Sequence, residues 1–422
     1  MATLSVSEMA ENLIGSEIIK LAGEINEKIA AGEKIYNFTI GDFDPKIFPI
    51  PIELEQEIVK AYQQKHTNYP AANGIVELRK AVSKFMQHKI GLQYSADDIL
   101  ITSGARPAIY ATYITLLDKG DKVIYPIPSW NNNHYCHLVG AEGIEINTLP
   151  ENNFMPTASD IKPFIDEATL ISLCSPLNPT GTSLSKESLT AICELIVQEN
   201  IKRKEQNRKP LYLMYDQIYW VLTYGNTEHY NPITINPSMR DYTIFIDGLS
   251  KSFAATGVRV GWTFGPKTII DKMKAILSHI GAWAPKAEQV ASANYLQNIP
   301  SIDTYLINFK NEIEFRLRSI YNGINQLKQE GFRVNAIAPQ SAIYLTVQFD
   351  LVGMKKSNGE KLQNIAEVTQ YLLDEAKLAI VPFYAFGSSK ESTWFRLSVG
   401  TCKKEEIDTA LKSIRIALEK LS

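Results

Sequence analysis

Cysteine is scarce in this sequence. The 422 residues include four, Cys136, Cys174, Cys193 and Cys402, none in a C-x-x-C pair, so neither a disulfide framework nor a zinc site is expected. Long apolar runs are absent as well, and nothing approaches the roughly 18 residues that a membrane span needs. Residues 1–17 show no charged segment leading into an apolar one, so no signal peptide is expected. Nor is there a surplus of basic charge. Lys and Arg number 43 against 46 Asp and Glu, for a net charge of −3, and the pI is about 6.1; a nucleic-acid partner is therefore not expected. The most basic stretch, Lys202–Lys209, also contains Glu205 and reads as a solvated loop. G-x-G-x-x-G and Walker patterns are missing, which argues against nucleotide binding. These absences leave a soluble, cytoplasmic protein as the expectation, with no metal.

What is present is a rhythm of short apolar runs and amphipathic stretches. Ile99–Thr102, Lys122–Tyr125, Leu170–Cys174, Leu211–Tyr215, Thr243–Asp247 and Gly261–Phe264 are nearly continuous in apolar residues. Such runs suit strands buried on both faces, in a mostly parallel sheet covered by helices. Helical patterns at Ala108–Leu117 and Lys186–Gln198 give the alternation of an α/β domain. After a long helical stretch, Ile302–Gln329, come Ala342–Phe349, Leu378–Pro382 and Trp394–Val399. In the last, Phe395, Leu397 and Val399 share one face and Trp394, Arg396 and Ser398 the other, as in an antiparallel sheet between helices and a cleft. A closing helix over Lys404–Leu421 would cover its apolar side. The expected fold is α/β: a large domain with a mostly parallel sheet (residues 51–305) and a small α+β domain (306–422) that residues 1–50 join.

Candidate chemistry gathers after these strands, where ligands of open α/β sheets sit. Lys251 follows Thr243–Asp247 within Gly248–Gly261, and Arg259 lies eight residues on. A lone lysine here is usually a surface residue; with Arg259, the pair suits a reactive amine beside a phosphate fork. Asp216 and Tyr219 follow Leu211–Tyr215. Asp216 reads as a helix cap or as the partner of a pyridine nitrogen, with Tyr219 donating to the ring's phenolic oxygen. Asn178, in Ser175–Gly181, is either ordinary turn residue or a second donor to that oxygen. Gly104, Ala105 and Arg106 open a helix whose N–H groups could grip a phosphate. Trp130 could stack on a planar ring or be core. Arg396, on the polar face of its strand, is an exposed cation or a fork for a substrate carboxylate.

In order and spacing these residues resemble the aspartate aminotransferase family, the fold-type I, class I/II enzymes that use pyridoxal phosphate. The likeness runs from about Gly15 to the C-terminus and includes Asn68-Tyr69-Pro70 with Gly74 and Leu78-Arg79, Ile101–Ala105, Asn178–Gly181, Asp216 with Tyr219, Ser250-Lys251 with Arg259, and Arg396. It implies that Lys251 carries the cofactor and shuttles the proton, Asp216 pairs with the pyridine nitrogen, and Asn178 and Tyr219 contact the phenolic oxygen. It further implies that Trp130 stacks on the ring and that the Gly104, Ala105 and Arg106 backbone binds phosphate with Ser250 and Arg259. Tyr69 would reach the phosphate of the neighbouring subunit in a homodimer. Arg396, helped by Asn178, would bind the substrate carboxylate, and Gly41 would close over the substrate. The implied reaction moves an amino group from an L-amino acid, aspartate-like or aromatic, to a 2-oxo acid such as 2-oxoglutarate.

Three positions depart from the family pattern. Gly248 stands where a phosphate-binding Ser or Thr is usual, Glu199–Pro210 looks like an inserted surface loop, and Ser278–Gln289 lacks its usual Ser/Thr-rich form. For an acidic donor, Arg106 is the candidate second cation; for an aromatic one, Tyr36, Phe38, Phe43 or Trp283 would line the pocket. A C–S lyase or an aminocyclopropane-carboxylate-synthase-like enzyme shares this pattern, as do the effector domains of some transcription regulators, although no basic DNA-binding head precedes the fold here.

Overall fold

The computed structural model describes residues 5–13, 15 and 17–422; the expectation about residues 1–17 falls partly outside them. Thirteen strands are described. The first, β1 (Tyr36–Asn37), lies apart from the main sheet. That sheet is built from β2 (Ile99–Thr102), β3 (Lys122–Ile127), β4 (Glu142–Asn147), β5 (Ala168–Cys174), β6 (Tyr212–Asp216), β7 (Thr243–Gly248) and β8 (Gly261–Phe264), in the order β2-β8-β7-β6-β5-β3-β4. Pairing is parallel except on the two sides of β8. The physics of the apolar runs is visible in the packing. Successive residues point to opposite faces: Leu170, Met214 and Ile244 enter one core cluster and Ile171, Tyr215 and Phe245 the other. Both faces are thus covered, as the parallel reading required.

The C-terminal part contains β9 (Val334–Ala336), β10 (Tyr344–Phe349), β11 (Leu378–Ala379), β12 (Val381–Pro382) and β13 (Trp394–Ser398). Four of these make an antiparallel sheet ordered β12-β13-β10-β9. Strand β1 pairs in parallel with β11, so the N-terminal segment is tied to this part of the molecule, as expected. One helix, Ile299–Gln329, runs across position 305, where the sequence suggested a boundary.

Two expectations are corrected. Residues 199–210 are not an inserted surface loop, because the helix that begins at Lys186 continues to Glu205. Arg203 is 3% exposed and Glu199 6%. Their side chains pair at 2.6 Å, and Arg203 also donates to the carbonyl of Ile165 at 2.7 Å. The basic stretch is not free solvated charge either: Lys202 and Arg208 both reach Asp166, and Lys209 reaches Asp121. The partners lie 36 to 88 residues away in sequence, which is why the charge run looked unpaired.

Candidate active site

A cavity of about 820 Å³ opens at the C-terminal ends of the parallel strands and is bounded on its far side by the small sheet. Five strand ends supply it: β2 leads to Ala105 and Arg106, β3 to Trp130, β5 to Asn178, β6 to Asp216 and Tyr219, and β7 to Ser250 and Lys251. Arg259, Arg396 and Gly41 complete the set. Gly104 caps the helix Ala105–Leu116 at their edge. Of the residues given a cofactor or carboxylate role in the sequence, Tyr69 stands away from this cavity. It is 80% exposed and its ring meets Trp283 edge-on at 5.2 Å.

Among the described residues the Lys251 amine has no carboxylate partner. Its Nζ donates to the Gly41 carbonyl at 2.7 Å and lies 5.8 Å from the centre of the Tyr219 ring. Burial pushes its pKa down to about 8, with Arg396, Arg106 and Arg259 adding to the effect and Asp42 opposing it. About a tenth of the amine is therefore uncharged and nucleophilic at pH 7, far more than for an ordinary lysine. Asp216 is perturbed in the opposite sense. Burial raises its carboxyl to about 6, although the backbone N–H of Ile218 donates to it at 3.0 Å. A cation placed in the cavity against this carboxyl would restore its ionised form.

The anion-binding end is made by close packing of glycines around Arg259. Gly104 has φ +83°, and a Cβ there would lie 2.1 Å from Arg259 Nη2. The Arg259 fork donates to the carbonyls of Ser103 and Thr256 at 2.9 and 2.7 Å; among the described residues no carboxylate pairs with it. The departure at Gly248 has a steric cause. A Cβ there would stand 2.8 Å from Gly261 Cα and 2.9 Å from the Val260 carbonyl, so Ser or Thr has no room on this backbone.

At the other end, Arg396 is 3% exposed, not the exposed strand residue of the blander reading. It donates to Asn178 Oδ1 at 3.0 Å and to the Thr39 carbonyl at 2.6 Å. Its guanidinium lies 4.9 Å from the Tyr344 ring centre and 4.8 Å from that of Phe386, and its Nε has no partner. Arg106 rests over the Trp130 ring at 4.4 Å. Several cavity residues escaped the sequence reading: Asp42, Asn132, Ser172 and Tyr344. Asn132 Oδ1 accepts from Tyr113 and Ser172 at 2.9 and 2.8 Å, contacts between two helices and a strand that local sequence does not encode. Tyr344 had a usable signal. It sits on the strand beside Arg396, two residues from direct opposition, where long side chains meet diagonally. Of the aromatic residues considered for the pocket, Tyr36 and Phe38 lie in the core and Trp283 faces Tyr69, whereas Phe43 packs on Phe48 and Phe309 with its ring centre 5.7 Å from Lys251 Nζ; Trp130, Tyr135, Tyr219 and Tyr344 line the cavity instead.

A buried amine of lowered pKa, a buried carboxyl of raised pKa and an arginine fork thus meet at the strand ends of an α/β sheet, an arrangement found in a chain similar to known transaminases. The profile of the family "Aminotransferase class I and II" matches residues 33–414, and the chain belongs to that family. The aspartate aminotransferase of Bacillus subtilis (strain 168) is 28% identical over 422 residues, covering 99% of this chain and all of the relative. A probable aspartate/prephenate aminotransferase of Rickettsia felis is 29% identical over 398 residues, 93% of this chain and 91% of its own. Among solved structures, the aspartate aminotransferase of Rhizobium meliloti aligns over both full chains with TM-score 0.88 at 25% identity. That of Thermus thermophilus with maleate aligns over 99% of this chain and all of its own, with TM-score 0.86 at 25% identity. The protein is a transaminase and its cofactor is pyridoxal phosphate. The cavity fits that group: among the described residues an amine without a counter-ion, a carboxyl raised by burial that a cation would re-ionise, and an Arg259 fork bonded to carbonyls. Among the described residues no helix is long and apolar enough to cross a membrane.

Proposed function

We propose that this transaminase moves the amino group of an acidic L-amino acid, aspartate or glutamate, to a 2-oxo acid, with 2-oxoglutarate as acceptor. One observation carries the reading. Three guanidiniums, Arg106, Arg259 and Arg396, line one cavity, and none pairs with a carboxylate among the described residues. The cofactor phosphate would engage one and the α-carboxylate a second, which leaves Arg106 for a side-chain carboxylate.

In this reading the cofactor is attached at Lys251, with Asp216 at its pyridine nitrogen, Asn178 and Tyr219 at its phenolic oxygen, and Trp130 against its ring. The Gly104, Ala105 and Arg106 backbone, Ser250 and Arg259 hold the phosphate, with Tyr69 reaching in from a second subunit of a homodimer. When bound, the cofactor supplies the electron sink that acidifies the substrate α-carbon. Lys251 Nζ would hold the cofactor and would take the substrate α-proton as general base. Arg396, steadied by Asn178 and the Thr39 carbonyl, orients the α-carboxylate. Gly41, held next to Lys251, closes the cavity against water. Residues 51–305 form the cofactor-binding domain and residues 306–422, joined by residues 1–50, the smaller one. Four free cysteines support a cytoplasmic location.

The test compares kcat/KM for aspartate, glutamate and phenylalanine in the parent and in Arg106→Met, which keeps the backbone contacts. The expected loss is about 100-fold for the acidic donors, with little change for phenylalanine. A parent enzyme that prefers phenylalanine overturns the reading. Pyruvate and ammonia released from a cysteine conjugate without any oxo acid would make it a lyase instead.

A further inference from the structure

We propose that Tyr344 is a positioning residue of the transamination: its hydroxyl donates to the Tyr219 hydroxyl and so commits the Tyr219 proton to the cofactor's phenolic oxygen. This rests on the reading of the site given above. The two hydroxyl oxygens are 2.7 Å apart and both residues are buried. A hydroxyl has one proton to give. If Tyr219 gave its proton to Tyr344, none would remain for the cofactor. The charge of Arg396, over the Tyr344 ring at 4.9 Å, decides the direction. Burial raises both hydroxyls and Arg396 opposes it at both, but its guanidinium lies against the Tyr344 ring, and Tyr219 is held the farther above the ordinary range. Tyr344 is thus the stronger acid of the pair and the donor.

The position of Tyr344 is fixed from several sides. In β10 it faces Ser398 of β13. Its carbonyl packs on Gly181, where a Cβ would come within 2.1 Å, and its hydroxyl would be 2.9 Å from a Cβ on Gly41. Thr346, two residues on, donates to the Thr180 carbonyl at 2.7 Å. One ring therefore touches the carboxylate anchor, the phenolic-oxygen donor and the closing glycine.

The test is a pH titration of the visible absorbance band in the holoenzymes of the parent, Tyr344→Phe, Tyr219→Phe and the double variant. A donor to the phenolic oxygen favours the chromophore that has lost its proton, so weakening that donor raises the apparent pKa. Tyr344→Phe should raise it by about 0.5 to 1 and lower kcat by about 3- to 10-fold. KM should stay the same, because the ring still faces Arg396. The double variant should titrate like Tyr219→Phe alone, since Tyr344 acts only through Tyr219. A Tyr344→Phe enzyme that titrates like the parent overturns the proposal, and so does an effect that adds in full to that of Tyr219→Phe. A parent protein that forms no visible band with pyridoxal phosphate would overturn the site reading as a whole, a result distinct from either.

Discussion

Asp216 makes the most direct link between the electrostatics of the site and its chemistry. Its carboxyl titrates near 6 instead of 3.8 because burial disfavours the charge. A folded pKa above the unfolded one stabilises the fold while the group is protonated. The contribution is therefore complete below about 3.8 and is lost as the pH rises through about 6. At about 1.4 kcal/mol per pH unit, the displacement is worth about 3 kcal/mol, a ceiling because part of the carboxyl faces the open cavity. Asparagine cannot ionise and keeps the acceptor for the Ile218 N–H. Cofactor-free Asp216→Asn should match the parent in thermal melting at pH 4 and exceed it at pH 8 by about 3 °C. Adding pyridoxal phosphate should reverse the order at pH 8, since only a carboxylate can meet a protonated ring nitrogen. Turnover of the variant should fall by about 100- to 1,000-fold. Melting curves of the two cofactor-free proteins that stay parallel from pH 4 to 8 would refute the burial argument.

Lys251→Ala should lose the visible absorbance of the holoenzyme and about 10⁴-fold in turnover, measured by coupled assay; retained turnover would sink the assignment. In the parent, the rate of cofactor capture followed by stopped-flow absorbance should rise with pH and level off above about 8, where the lowered pKa leaves the amine uncharged. Gly248→Ser should weaken pyridoxal phosphate binding despite adding a hydroxyl, because its Cβ meets the Gly261 backbone; equilibrium titration of the apoenzyme reads this. Arg203→Met should lower stability to urea by about 3 kcal/mol by stranding buried Glu199, and Glu199→Leu added to it should restore most of the loss.

Strands β5 and β7 were legible because both of their faces are buried, which leaves a continuous apolar run. Strand β4 was not. It is a sheet edge with one neighbour, and Glu142, Glu145 and Asn147 point outward, so its sequence carries too few apolar residues to stand out. The end of the Lys186–Glu205 helix was misread for a related reason, since the partners of its charges come from distant segments. The site residues were more readable than the elements around them. Lys251, Asp216 and Asn178 each lie at or just beyond a strand end, and Arg259 stands two residues before β8. Asn132 acts through contacts with distant segments and had no such marker, and the signal for Tyr344 was its place on the strand beside Arg396.

The gathering of Lys251, Arg106, Arg259 and Arg396 against Asp42 and Asp216 places a positive interior in a chain whose net charge is −3. Most of the exterior therefore repels a dianion while the cavity draws it in. The Debye length is about 8 Å at physiological ionic strength, so the attraction acts only on molecules already at the opening. Discrimination between a dicarboxylate and a neutral amino acid then begins at encounter, before any hydrogen bond forms. Added salt should slow capture of the dianion far more than that of its neutral competitor.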